Sequence, residues 1–484
     1  MKKVYLSLLM LTAALYQSQS VELVKDIRPG SGSGSPANFV QYNNKLYFSA
    51  NDGTTGVELW ESDGTNAGTK LVQDYNTGSG NFNPTNFCVK QGELFFAGGI
   101  GSMPNGIELY KYNPTEGIKL FADIKPGSAG SSPSQLQVNA DGSLLYFRAS
   151  DAVDTAARIY KTDGVNAPTP LSSTFISYTA MMALDNTIIA AGGTDLSDVE
   201  IYKSTGAEFS LIKDIRPSAS STPNNFYYSP TLKKMFFTAR TDQNGTEPWI
   251  TDGTTEGTTL LKDINKVGSD QGTTNSGVTQ MIEYKGKIYF AANDGVNGSE
   301  VWVSDGTEAG TKMLKDLIPG SASSNPSTFT IHNDLLFFVA NDAALGRELF
   351  VTDGTEAGTK LYLDIVPGAT GSSISDIISY NNKLYIVGMV ETAVGKELYE
   401  VKMSNLGTSV SSSSTLKVFP NPSNGDFKIT TKEFQNFKIY DLSGKLVKSG
   451  AINNQEIKSG LKAGQYVLVL EAGNKSQSTS IIIK

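Results

Sequence analysis

The sequence predicts an all-β protein: an eight-bladed β-propeller closed by its N-terminal strand, followed by a small C-terminal β-sandwich. Three observations carry this expectation. First, one phrase recurs eight times, clearest as Glu300-Val-Trp-Val-Ser-Asp-Gly-Thr and Glu348-Leu-Phe-Val-Thr-Asp-Gly-Thr. Its anchors fall at Glu58, Glu108, Arg158, Glu200, Glu247, Glu300, Glu348 and Glu397, spaced 42 to 53 residues apart. A fixed period of that size marks a closed or stacked repeat. Second, each unit holds four short runs rich in β-branched and aromatic residues, separated by Asn, Asp and Gly clusters. Four strands in about 40–50 residues is the composition of a propeller blade. Third, the two ends of the repeat region complement one another.

Taken in order, the chain opens with Met1-Lys-Lys, an apolar stretch from Val4 to Tyr16, and Gln17-Ser-Gln-Ser20. A basic start, a short apolar run and small residues at its end predict a signal peptide over 1–20. Cleavage near Ser20 leaves Val21–Ile27 first, and no cysteine follows to take a lipid. That segment matches the last strand of a repeat, as in Thr259–Ile264, whereas the final unit stops after Glu397–Lys402 without one. The N-terminal strand is therefore expected to complete the eighth blade and remove both open edges of a propeller over 21–402.

The first full unit shows the plan. An extended segment with Phe39 and Val40 leads through Asn43-Asn44 to Lys45–Ala50. The turn Asn51–Gly56 and the run Glu58–Ser62 follow, then the turn Asp63–Thr69 and the run Lys70–Asp74. Asp-Gly and Asn-Gly accept the positive φ of tight hairpins. Runs such as Leu335–Ala340 show little polar alternation, as expected for sheets covered on both faces. The pattern decays after Asp163–Pro168 into Pro170–Phe175. The next unit has Glu200–Gly206 but no Asp-Gly-Thr turn, and Gly268–Gly277 is inserted before the Glu300 unit. Such departures are either neutral decay or places where a ring carries something unique.

Residues 403–415 are a Ser-rich linker by composition. Beyond it come Val418-Phe-Pro-Asn-Pro-Ser-Asn-Gly425, then Phe437–Val447 and Gly460–Leu470, short strands with Gly turns that suggest a β-sandwich over 416–484. These three motifs resemble the type A sorting domain of the type IX secretion system. The resemblance implies passage through the periplasm and across the outer membrane by that machinery, acting through 416–484, to a secreted or cell-surface location. The repeats, over 21–402, resemble the ELWxxDGT repeat family, with Arg158 and the missing turn near Gly206 as departures. That resemblance implies no single reaction.

The net charge is −8, and removal of Lys2 and Lys3 with the leader takes it to −10. With pI near 5.0, the chain does not suit nucleic acid, whose phosphates call for clustered Lys and Arg. No later segment has about 18–20 consecutive apolar residues, so no transmembrane helix is expected. The single cysteine, Cys88, excludes an intrachain disulfide.

Candidate chemistry is sparse. The aspartates of Asn293–Gly298 and Ser304–Thr311 offer oxygens that suit calcium. Their spacing lacks the alternating acids and closing Glu of a calcium loop, and favours hairpin chemistry. The Ser-Asp-Gly-Thr turn faintly resembles the Asp-box of sialidase propellers, itself structural, and departs from its spacing. The only histidine, His332, leaves triads and imidazole zinc sites without their parts. The repeated Glu recurs too often to be catalytic, which argues for bonding to a neighbouring turn. Trp60, Trp249 and Trp302, with Tyr110, Tyr160, Tyr202, Phe350 and Tyr399, share one position per unit. They suit either interblade core or a carbohydrate platform. No catalytic, metal or cofactor residue is assigned. The expectation is a non-enzymatic binding or adhesion protein for a glycan or protein ligand. The alternatives are a polysaccharide-degrading enzyme using channel carboxylates and a structural matrix component.

Overall fold

In the computed structural model the described residues are 20–402 and 418–484. Left out within them are 101–102, 151–155, 185–186, 196, 207, 218, 267–273, 420, 422, 430–433, 442–445, 453–454 and 473–474. The expected signal peptide, Ser20 apart, and the Ser-rich linker lie outside the described residues, as does most of the 268–277 insertion. The chain divides into a unit of Gln19–Lys402 and one that contains Met403–Lys484.

Every regular element among the described residues is a strand. The larger unit contains eight four-stranded antiparallel sheets. Seven are continuous in sequence, over 37–73, 85–122, 134–170, 176–213, 224–260, 279–315 and 327–363. The eighth takes three strands from 376–402 and its fourth from Ser20–Lys25, with Val21 opposite Val401 and Leu23 opposite Tyr399. The N-terminal strand thus pairs where the truncated last repeat leaves a gap.

The second and third strands are buried on both faces; Leu46, Tyr47, Phe48 and Ala50 are at most 1 % exposed. That accounts for their unbroken apolar runs. Apolar clusters straddle neighbouring sheets, as where Tyr47 and Leu59 of the first pack with Phe96 and Tyr110 of the second. The first strand of each sheet lies beside first strands of adjoining sheets, the hub arrangement of a β-propeller.

These first strands share a device that hydrophobic patterning does not reveal. Ser35, Asn83, Ser132, Thr222 and Asn325 hold φ between 45° and 51° just before a proline, and a second positive φ follows at Asn38, Asn86, Gln135, Asn225 and Thr328. The pairing register slips there, between Ala37 and Val40 in the first sheet, which makes a bulge that turns the strand.

The C-terminal unit has two sheets, one of three strands and one of four. Phe427 and Ile457 from the first and Phe437, Ile439, Leu468 and Ile481 from the second form one buried core, a two-layer packing of the kind a sandwich requires.

Candidate functional site

Each recurring residue of the Asp-Gly-Thr turn has a local bond. Ser62 and Thr69 join hydroxyls at 2.7 Å, and Ser62 Oγ accepts the Gly64 amide at 3.0 Å. Asp63 Oδ1 accepts both the amide and the hydroxyl of Thr65, at 2.9 and 2.6 Å, and Thr65 Oγ1 accepts the Gly68 amide. A Cβ on Gly68 would collide with the Asp63 carboxylate, and one on Gly64, at φ 88°, with the Tyr385 hydroxyl of the eighth sheet. The same set recurs at 251–258, 304–311 and 352–359. Here hairpin chemistry engages the turn aspartates, and the Thr65, Thr254, Thr307 and Thr355 hydroxyls hold their carboxyls below the usual range. Among the described residues no three His, Cys, Asp or Glu side chains come together as a metal site.

The repeated glutamates form a second device. All seven are at most 1 % exposed. Glu300 accepts the amides of Leu317 and Ser324 and the Ser324 hydroxyl, at 3.0, 2.9 and 2.6 Å. Glu108 does so with Ile124, Lys125 and Ser131, and Glu397 with Arg28 and Gly34. Each carboxylate thus anchors the loop that leads to the next sheet. Burial raises all seven pKa values. It pushes Glu58, Glu247 and Glu397 up to about 7. Glu108, Glu200 and Glu300 each gain a serine hydroxyl bond, which favours their charged form.

Where Arg158 replaces the glutamate, the loop to the next sheet is only residues 171–175. Arg158 donates to the Phe175 carbonyl, and Arg148 donates to Ser177 Oγ and to the carbonyls of Ser177, Tyr178 and Thr179.

His332 is 3 % exposed. Its Nδ1 lies 2.9 Å from Ser379 Oγ and its Nε2 accepts from Asn333 Nδ2 at 3.0 Å. Both ring nitrogens are thus engaged, Nδ1 by a serine of the neighbouring sheet. Tyr42, Tyr284 and Tyr380 occupy the same place in other sheets, each donating its hydroxyl to a carbonyl of a neighbouring sheet. His332 belongs to this series of lateral links. Burial pushes the Cys88 thiol up to about 11, away from a reactive thiolate. Trp60, Trp249, Trp302, Tyr110, Tyr160, Phe350 and Tyr399 are at most 7 % exposed. Tyr202 is half-buried, packed beside Phe175.

One polar cleft breaks the regularity. It measures about 350 Å³ and lies between the fifth and sixth sheets, lined by Thr222, Asn224, Asn225, Thr246, Asn275 and Thr279 around Gly277. Gly277, at φ 57°, stands where other sheets place Ser35, Asn83, Ser132, Thr222, Asn325 or Ser373. Nothing lies within 4 Å of a Cβ built on it. The sequence singled out the 268–277 insertion, which holds Asn275 and Gly277, without assigning a site there; the sharper signal was a glycine and Val278 in place of the usual polar residue and proline.

Residues 417–484 match the family model described as the secretion system C-terminal sorting domain. No curated protein matches the chain. Among solved structures, the chain is similar to the β-propeller domain of the Trilobed protease from Pyrococcus furiosus, which has an open velcro topology. Identity there is 12 %, coverage 67 % of this chain and 96 % of that one, and the TM-score 0.41. It is also similar to Saccharomyces cerevisiae Sqt1, at 12 % identity, 80 % and 97 % coverage and TM-score 0.45. A prolyl endopeptidase matches at 9 % identity and TM-score 0.47, over 92 % of this chain and 56 % of that one. The sorting domain marks the chain for export by the type IX machinery to the extracellular space or the cell surface. Among the described residues no helix is long and apolar enough to cross a membrane.

Proposed function

We propose that this chain is an exported recognition protein: a leader over 1–20, one closed eight-bladed ring over 21–402, and a cleavable sorting domain over 416–484. The ring presents binding loops and performs no chemistry. The observation that carries this reading is where the repeated polar side chains are bonded. The glutamates hold connecting loops, the turn aspartates hold hairpins, and His332 bonds to a neighbouring strand.

Closure is supported by contacts between the eighth and first sheets that repeat those elsewhere. Gln41 donates to the Ser379 carbonyl, Tyr380 donates to Asn44, and Glu397 accepts from Arg28 and Gly34. The resemblance of the motif to the ELWxxDGT repeat family agrees with a ring scaffold whose loops vary.

The test incubates secreted full-length protein with insoluble and soluble polysaccharides and with surface proteins, scoring retention and soluble product together. Retention without product is the expected result. Release of reducing ends would make the protein an enzyme and direct attention to the channel carboxylates. Neither retention nor product would leave a matrix component. Removal of 416–484 is expected to trap the protein in the periplasm; efficient release of that truncation would overturn the export route.

A further inference from the structure

We infer that the cleft between the fifth and sixth sheets is a subsite for a neutral, hydroxyl-rich ligand, of the chemical class of a glycan's pyranose unit. This rests on the reading of the ring as a recognition protein and names where and what it binds.

The described lining residues include no Asp, Glu, Lys or Arg. Among the described residues, neither an anion nor a cation finds a counter-charge in the lining. Val278, the one aliphatic side chain among the described lining residues, is 2 % exposed. What it offers is a mixed set of neutral donors and acceptors, which is what vicinal hydroxyls recognise. At about 350 Å³ it lies near the lower end of the roughly 300–1,000 Å³ of small-molecule sites, enough for one or two sugar rings.

The polar groups are also pre-set. Asn225 uses its Nδ2 on the Val278 carbonyl, Asn275 uses its Oδ1 on the Thr246 amide, and Asn224 uses its Oδ1 on the Asn225 amide. Each carboxamide is thus held through one half. Groups fixed before binding lose less freedom when a ligand arrives. The hydroxyls of Thr222, Thr246 and Thr279 sit around them. The space exists because Gly277 omits the side chain found at the equivalent position of other sheets.

Gly277→Asn tests the site without threatening the fold. Equivalent positions hold Asn83 and Asn325 at φ 51° and 48°, and the new side chain enters open space. Ser35→Asn adds the same group at the first sheet as a control. Full-length protein is titrated by saturation-transfer NMR with cellohexaose, xylohexaose, mannohexaose and maltohexaose, and with an oligogalacturonate as the acidic comparison. The expected result is binding of at least one neutral hexaose with Kd on the order of 0.1–1 mM, as few polar contacts allow. Gly277→Asn should weaken it at least ~10-fold, and Ser35→Asn should not.

Unchanged binding in Gly277→Asn would overturn the site while leaving the recognition reading intact. Binding of the acidic oligomer alone would overturn the ligand class. Binding of no oligosaccharide would overturn the subsite, and the retention experiment above decides separately whether the ring binds at all.

Discussion

The seam between the sixth and seventh sheets and the seam between the third and fourth meet the same need with opposite charges. At the first, Glu300 draws in the amides of a long connecting loop. At the second, the loop is only residues 171–175 and brings no such nest of amides. Instead, the carbonyl of Phe175 accepts from the Arg158 guanidinium, and those of Ser177, Tyr178 and Thr179, at the start of the next sheet, accept from Arg148. The difference teaches that the anchor's charge follows which backbone group the loop turns inward. A buried backbone group without a partner is costly, so the loop and its anchor must agree in sign. The apparent decay of the motif at Arg158 is thus a matched change of loop and side chain.

The comparison breaks hardest at the carboxylate. Glu300→Ala strands the buried Ser324 amide and the part-buried Leu317 amide, and should cost about 3–5 kcal/mol by urea denaturation. A loss under ~1 kcal/mol, the scale of an ordinary surface change, would mean that the loop is held by packing alone. Arg148→Met keeps the stem and removes the donors, and should cost about 2–4 kcal/mol. If it costs as much as Glu300→Ala, the two seams are equivalent in energy as well as in role. Gly310→Ala drives a methyl into the Asp305 carboxylate and breaks one turn rather than one seam. A loss of about 2 kcal/mol is expected from the displaced hydrogen bonds.

The smallest effect per group is pH dependence, and it separates the seam glutamates from the turn aspartates by sign. Glu58, Glu247 and Glu397 titrate near 7 when folded, against an ordinary value of 4.5. Between those values the native state binds more protons than the unfolded chain, so stability should rise as pH falls from 7 towards 5. The turn aspartates act oppositely. Their lowered pKa values give stability that is present above about 4 and is lost on further acidification. A thermal midpoint that peaks near pH 5 is expected. With Glu58, Glu247 and Glu397 all changed to Gln, the rise between pH 7 and 5 should shrink, the remainder coming from the four other raised glutamates. A midpoint that falls steadily from pH 7 would show that these carboxyls are not strained by burial.

Much of the fold was legible because a blade repeats its own chemistry. The anchors located the units, and the incomplete last unit indicated where the N-terminal strand pairs. The bonding role of the glutamate followed from its recurrence, although its partners lie 15–24 residues later in the chain, or for Glu397 near the opposite end, and no local pattern identified them. The bulges escaped notice because positive φ at Asn38 or Gln135 leaves no hydrophobic periodicity. The cleft escaped for a related reason. It depends on a missing side chain at Gly277, and an absence stands out only after the neighbouring sheets show what normally fills that position.

The strand from Ser20 to Lys25 has a further consequence, for timing. Its partner lies in the last three strands of the larger unit, and the adjoining contact of Arg28 with Glu397 spans 369 residues. At about 5–20 residues per second of synthesis, the strand made first waits roughly 20–75 s before its partner exists. Seven sheets can form one after another during that interval, each from contiguous chain. The eighth is the slow step, because it alone must recover a segment from the far end. Assembly of the unit is therefore expected to finish after synthesis, on a final long-range search.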